Sequence, residues 1–571
     1  MTTVMRMNRS IGLLLILAVT AMACAAPPSP RGASDAAGSG EQRPPKRITV
    51  AIRGDPKTLS AKLNSEAGAG GVPGVAEIAK MLNAGLATDD SKRVLHAQLA
   101  EQVPSVENGL WKVFPDGRME TTWKIRPNVT WHDGAPFTSD DLIFTATVEQ
   151  DPELPIFRNV AYGSIEKVEA PDPSTVTMTW KRPYIEADTM FTGQRALPMP
   201  KHLLERTYLE NKEDFTNLPY WNRDFIGTGP YKLKELMLGS HLILEANDHF
   251  VLGRPKIDLI EVRFIPDPNT IGANILAGGI DTTLGGRLSL EWGLQVRDQW
   301  RDGQLFSDAR LSMISAYPQF LNPDPAILLD AQFRRALLFG VDRREIIESL
   351  VAGLGPFGHS IIADNHGEWR DVESSIVKYD FDPRRAMQMI EGLGYTRAPD
   401  GFFRDAANQP LRLEVRTQAT DDTQMKVTFS MADYWQRIGV GVDQAPFPQQ
   451  RASDREFRAT RPAFEVVRQP GGWSELERFY GPNTPLPENS FTGVNRTRHR
   501  NAEFDALIDR FFLTVPRPER MDILKRIVNY MTDQVVILPV FWDPSPTMIA
   551  NRLKNVSDPG DVWDVHLWDV N

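Results

Sequence analysis

Apolar and polar positions alternate with period two over residues 47–52 (RITVAI), 120–125, 164–170, 175–180, 241–246 and 258–264. That period sends successive side chains to opposite faces, so each segment reads as a strand. Pro171-Asp172-Pro173-Ser174 is the turn that joins 164–170 to 175–180. Elsewhere the period is helical. Residues 75–86 follow a glycine-rich loop, and Phe333, Ala336, Leu337, Gly340 and Val341 share one face. Asp342 then opens a new helix, with Glu345 three residues on as an aspartate form of the capping box. Asp382-Pro383, Ala386, Met387 and Ile390 closed by Gly394 give a helix with cap, first-turn proline and terminator. Two more helices, 502–512 and 518–532, lead into an apolar strand at 535–541. Strands and helices mixed in this way predict an α/β body.

The first residues break this pattern. Arg6 and Arg9 precede an apolar run over 11–23 (IGLLLILAVTAMA), too short to cross about 30 Å of hydrocarbon comfortably. It reads as an export signal over residues 1–23. Ala21-Met22-Ala23 stands directly before Cys24 and looks like a bacterial lipoprotein cleavage box, which makes Cys24 the candidate lipidation site. Ordinary cleavage after Ala23 would instead leave Cys24 a free thiol. From Ala25 to Lys46 the chain is rich in Pro, Gly, Ser and Ala without apolar period. It cannot bury enough surface to offset its ordering entropy, so residues 24–46 read as a tether.

Composition narrows the classes. The chain has 571 residues, enough for several domain equivalents with large cores. Its formal charge of −10 argues against a nucleic-acid partner, whose phosphates need a concentrated basic face. Cys24 is the only cysteine, which excludes an intrachain disulfide and a cysteine-based metal site. The nine histidines are scattered, without an HExxH pattern, so no metal and no cofactor is expected. Acidic residues are plentiful, but no spacing singles out a catalytic pair.

Four motifs carry the rest. In TWKIRPNVTWHDGAPFTSDDLIF, ending at Phe144, a strand stops at Arg126-Pro127, Asp133-Gly134 makes a turn, and Thr138 caps a helix with Asp141 at its third position. His132 and Asp133 are neighbours in a turn with no nucleophile beside them, so they read as structural. Ile226 to Tyr231 (IGTGPY) lacks the ending of a phosphate loop and reads as a turn. The loop at 67–74, which contains Gly70 and Gly71, is either a flexible connection or a close backbone approach to a ligand before a helix. In Arg468 to Glu475 (RQPGGWSE), Trp473 after two glycines either closes over a ligand or tucks into the core.

These residues resemble the extracytoplasmic solute-binding proteins of ABC importers, in the peptide, dipeptide and nickel-binding group. The likeness lies in the Trp-His-Asp-Gly-x-Pro-Phe-Thr turn with its flanking strand and helix, in FIGTGPY at 225–231, and in the run 247–281 ending at Gly-x-Asp. It continues in the helix pair at 333–347 and in the C-terminal helices and strand of 501–541. The resemblance implies a two-lobed fold of the periplasmic-binding-protein type (class II), with an extra subdomain on the first lobe. The expected division is 47–305 for the first lobe, 306–535 for the second, and 536–571 returning to the first. It further implies hinge closure on a solute, docking on membrane permease subunits, no catalytic residue, and a monomer held at the outer face of the cytoplasmic membrane, or in the periplasm, through Cys24 in the bilayer. A secreted hydrolase and a non-transport sensing or adhesion protein are the competing readings.

In peptide-binding members an aspartate soon after the tryptophan loop pairs with the ligand's amino terminus. Here the stretch is Trp473-Ser474-Glu475-Leu476-Glu477, without aspartate. Short peptides remain the favoured solute, against oligosaccharides, opines and metal chelates. The candidate ligand contacts are Trp473, Gly472, Glu475, Tyr317, Asn322, Gly70 and Gly71.

Overall fold

The computed structural model describes residues 44–571 except 65–71, 287, 308–311 and 452–453. The export segment, Cys24, the tether up to residue 43, and Gly70 and Gly71 lie outside the described residues.

Three sheets organise the body. The large sheet has the strand order Gly303–Ser307, Pro546–Ala550, Thr282–Thr283, Arg47–Ile52, Leu259–Phe264, His241–Ala246 and Tyr231–Met237. The Arg47–Ile52 strand runs parallel to Leu259–Phe264, with Val50 opposite Val262. A second sheet has the order Gly441–Phe447, Arg412–Gln418, Phe464–Pro470, Ser312–Pro318 and Leu538–Trp542. A small antiparallel sheet, Trp111–Val113, Met119–Lys124, Thr175–Trp180 and Ile165–Asp172, is inserted between strands of the large one.

The chain crosses from the large to the second sheet between Ser307 and Ser312 and returns between Trp542 and Pro546. The return comes later than the division at 536 expected from sequence, because Leu538–Trp542 pairs antiparallel with Ser312–Pro318 in the second sheet. An entirely buried apolar strand carries no sign of which sheet it joins. The expected strand at 535–541 is also displaced: its first residues are a turn, with Val535 at φ 47°.

Period two decides how the second sheet buries its faces. Ile314 and Ala316 join an apolar core with Leu337, Met431 and Trp435 of the covering helices. Met313 and Tyr317 point the other way, into a cluster that runs through Leu476 and Phe479 to Trp123, Met178 and Trp180 of the small sheet. One apolar cluster therefore joins the inserted subdomain to the second sheet.

Most predicted caps are present. Thr138 and Asp141 form the reciprocal capping box of Ser139–Gln150, and Asp382 accepts from the Arg385 amide at 3.0 Å. Asp342 caps its helix alone, because the Glu345 carboxylate is engaged by the Tyr434 hydroxyl rather than turning back to the cap.

Candidate functional site

The loop between the strand Phe464–Pro470 and the 3-10 helix Trp473–Phe479 is built on two glycines with different needs. A Cβ on Gly471 would lie 2.0 Å from the Trp542 ring and 2.7 Å from the Ile361 carbonyl oxygen. Gly472 has φ 108°, which a side chain rarely tolerates, and its amide donates to the Ile361 carbonyl at 2.6 Å. The space a Cβ would take there lies 3.2 Å from Nε2 of His366. The His366 Nδ1 in turn lies 2.5 Å from a Glu368 carboxylate oxygen. Beyond His366, a Cβ on Gly367 would sit 3.6 Å from the Lys92 carbonyl, so this corner touches the segment that follows the first strands.

Trp473 tucks only partly into the core. It is partly buried, its ring 5.7 Å from that of Phe511, and it packs against the apolar cluster while keeping an exposed edge. Glu475, on the same helix, is ion-paired with Arg478, so its carboxylate is already balanced. Tyr317 is almost fully buried on the second sheet, opposite Glu465 and 6.1 Å from the Phe479 ring. Burial pushes its phenol up to about 12, with Arg478 and Arg496 pulling the other way. Asn322 is exposed, with φ 56°, in the loop after this strand.

Sequence reasoning missed His366, Arg478 and Arg496. Arg478 had a signal, because three residues after Glu475 is ion-pair spacing on a helical turn. His366 and Arg496 come from loops whose approach to the site no periodicity encodes.

The Trp-His-Asp-Gly turn proves to be architecture, as its spacing suggested. The Gly227 amide donates to His132 Nδ1 at 3.1 Å, which leaves Nε2 to donate to the Gly229 carbonyl at 3.1 Å. Burial pulls His132 down to about 4, so the imidazole is neutral and works as a two-ended connector. Its partner turn sits on the end of helix Val75–Leu82, where a Cβ on Gly227 would lie 2.0 Å from the Leu82 carbonyl oxygen. Among the described residues, no group of three His, Cys, Asp or Glu side chains is placed to hold a metal ion.

Two other faces meet between the inserted subdomain and the second sheet's helices. Asp188, beside Glu186 and Arg195, lies within electrostatic reach of Arg520 on the helix Arg517–Asp533. Burial pushes the Asp188 carboxyl up to about 7, against the pull of Arg520.

Two chain crossings between the large and second sheets give a two-lobed α/β body. A family model for bacterial extracellular solute-binding proteins, family 5, matches residues 97–484, and the chain belongs to that family. It is 23% identical over 502 residues to the oligopeptide-binding protein AppA of Bacillus subtilis, covering 87% of this chain and 86% of the relative. It is 24% identical over 466 residues to Heme-binding protein A of Haemophilus influenzae, covering 78% and 80%. Among solved structures, the ABC transporter substrate-binding protein CtaP of Listeria monocytogenes superposes with a TM-score of 0.73 at 20% identity, covering 92% of this chain and 99% of the other.

Proposed function

We propose that this protein captures a short peptide between its lobes and delivers it, chemically unchanged, to an ABC permease in the membrane. The observation that carries the reading is the Gly471-Gly472-Trp473 loop. It is held against Ile361 and beside His366, with Gly472 at φ 108° and the Trp473 ring only partly buried next to it. An extended peptide is recognised largely through its main chain, so a glycine loop that admits close approach suits it. The name of the relative AppA, an oligopeptide-binding protein, favours the same solute class. No bond is made or broken in this reading. The first lobe is taken as 47–307 with 546–571, the second as 312–542, and hinge motion at the crossings closes them. Lipidation of Cys24 would hold the monomer at the membrane while residues up to 46 let it reorient.

Mass spectrometry under native conditions should find a peptide carried through purification. After unfolding, washing and refolding, a pool of short peptides should raise the melting temperature and contract the scattering profile. A washed protein that neither melts higher nor contracts with any peptide pool sinks the peptide reading.

A further inference from the structure

At the far end of the second sheet, a groove of about 620 Å³ is lined by Arg334, Arg498, His499 and Arg500, by the start of the helix Ala502–Leu513, and by one carboxylate, Asp505. It is not the place of the Gly471-Gly472 loop. Ser312 pairs with Pro470 and Pro318 with Phe464, and Phe320 and Leu321, just past Pro318, line the groove. At about 3.3 Å per residue, the strand Ser312–Pro318 sets groove and loop roughly 20 Å apart.

The charges lining the groove do not cancel. Arg334 is 3% exposed and donates only to carbonyls, of Leu328 at 2.7 Å, Gln534 at 2.6 Å and Val535 at 3.1 Å. Arg498 donates from Nη1 to the Ala459 carbonyl at 3.1 Å. Neither of them, nor the exposed Arg500, forms an ion pair among the described residues. Asp505 is within electrostatic reach of Arg500, and its Oδ1 accepts from the Gly481 amide at 2.7 Å.

Donors are also left over. Arg498 and His499 are each 7% exposed, and Arg498 Nε and His499 Nδ1 have no hydrogen-bond partner among the described residues. The Tyr530 hydroxyl lies 3.3 Å from His499 Nε2, and burial, aided by Arg334, pulls the imidazole down to about 4, so it is neutral. With Nε2 accepting from that hydroxyl, the one ring proton is on Nδ1, a buried donor without an acceptor. Asn501 caps the helix by accepting from the Phe504 amide at 2.9 Å, which leaves the Ala502 and Glu503 amides without acceptors among the described residues.

We infer that this groove binds a phosphate-type oxyanion, held by the Arg500 guanidinium, the first amides of the helix Ala502–Leu513 and the donors of Arg498 and His499. The helix start brings the positive end of its dipole, and the guanidinium fork matches the oxygens of such an ion. Arg334, its donors taken up by carbonyls, contributes charge alone. A buried arginine without a carboxylate loses hydration that an anion would offset. The oxyanion is either a free ion or part of a lipid headgroup, and the site stands independently of the peptide reading.

The test starts from purified protein washed in a zwitterionic buffer. Sodium phosphate at constant ionic strength, and phosphatidylglycerol vesicles against phosphatidylcholine ones, are added while hydrogen exchange is read by mass spectrometry. Exchange should slow in 498–505 and stay the same in Trp473–Phe479. Slowing by phosphate assigns the site to a free ion, and slowing by phosphatidylglycerol alone assigns it to a headgroup. Slowing by neither, or slowing that spares 498–505, overturns the site. Melting curves then give the apparent affinity for the probe that acts. Arg500→Gln should weaken it roughly fivefold or more, whereas Asp505→Asn, which keeps an oxygen for the Gly481 amide and removes the competing charge, should tighten it roughly threefold. A general salt effect moves all three proteins alike, and equal affinities would overturn the inference.

Discussion

At the scale of single residues, close approach and burial decide more than chemistry does. Gly227 is not in a left-handed conformation, yet a methyl group there would collide with the Leu82 carbonyl, which is backbone and cannot step aside. Gly227→Ala should therefore lower unfolding free energy by about 2–4 kcal/mol, read from denaturant midpoints. His132 has a defined pH signature. It is held at about 4 in the folded chain against an ordinary value near 6.5. Below pH 6.5 the unfolded chain takes up this proton first. The stabilisation is thus complete above about pH 6.5 and is lost as the pH falls toward 4. The difference in stability between wild type and His132→Asn should shrink by about 3 kcal/mol between pH 7 and pH 4, measured by denaturation at each pH. Adjacent His132 and Asp133 looked structural in the sequence because turn neighbours diverge. The structure adds what local reasoning could not reach, the partner turn at Gly227 and Gly229, far along the chain.

At the scale of elements, the return crossing is clasped. The Asp543 amide donates to the Ser312 carbonyl at 2.9 Å, tying the two crossings together. Its carboxylate pairs with Arg468, which also reaches Asp421 at 3.2 Å. Arg468 lies on the strand that leads into the Gly471-Gly472 loop, so one cation links the return crossing to that loop. Asp543→Ala leaves a partly buried guanidinium with one partner fewer. We expect about 1–3 kcal/mol lower stability and faster amide hydrogen exchange in Ser312–Pro318, with helix Ser139–Gln150 unchanged. Strands with period two and helices with explicit caps were legible one by one. The membership of Leu538–Trp542 in the second sheet was not, because pairing partners are chosen by topology and an all-apolar strand fits either sheet.

At the scale of the whole molecule, the proposed closure is a balance between two faces. The apolar cluster that joins small sheet to second sheet favours contact, whereas Asp188 is a carboxyl desolvated by burial near Arg520. Glu186 and Arg195 flank it on its own segment, and Arg520 faces it from the opposing helix. Its value of about 7 in this packing lies above the ordinary carboxylate range, so proton binding favours the packed arrangement over one that exposes Asp188 to water. This contribution is present at acid pH and is lost as the pH rises through about 7. Solute-free protein should scatter as a larger particle at pH 8 than at pH 6, and Asp188→Asn should be compact at both. An unchanged radius in the wild type across that range would contradict this balance.

Periodicity, caps and turn chemistry were enough to establish an α/β body, since each depends on residues close together along the backbone, and the order of motifs resembled that of its family. The long-range contacts around the candidate loop needed the folded molecule. His366 beside Gly472 and Asp188 within electrostatic reach of Arg520 are meetings of distant segments, set by how the sheets and helices pack. Charge balance at a site is a sum over such neighbours. It exists only once the chain has brought them within reach of one another.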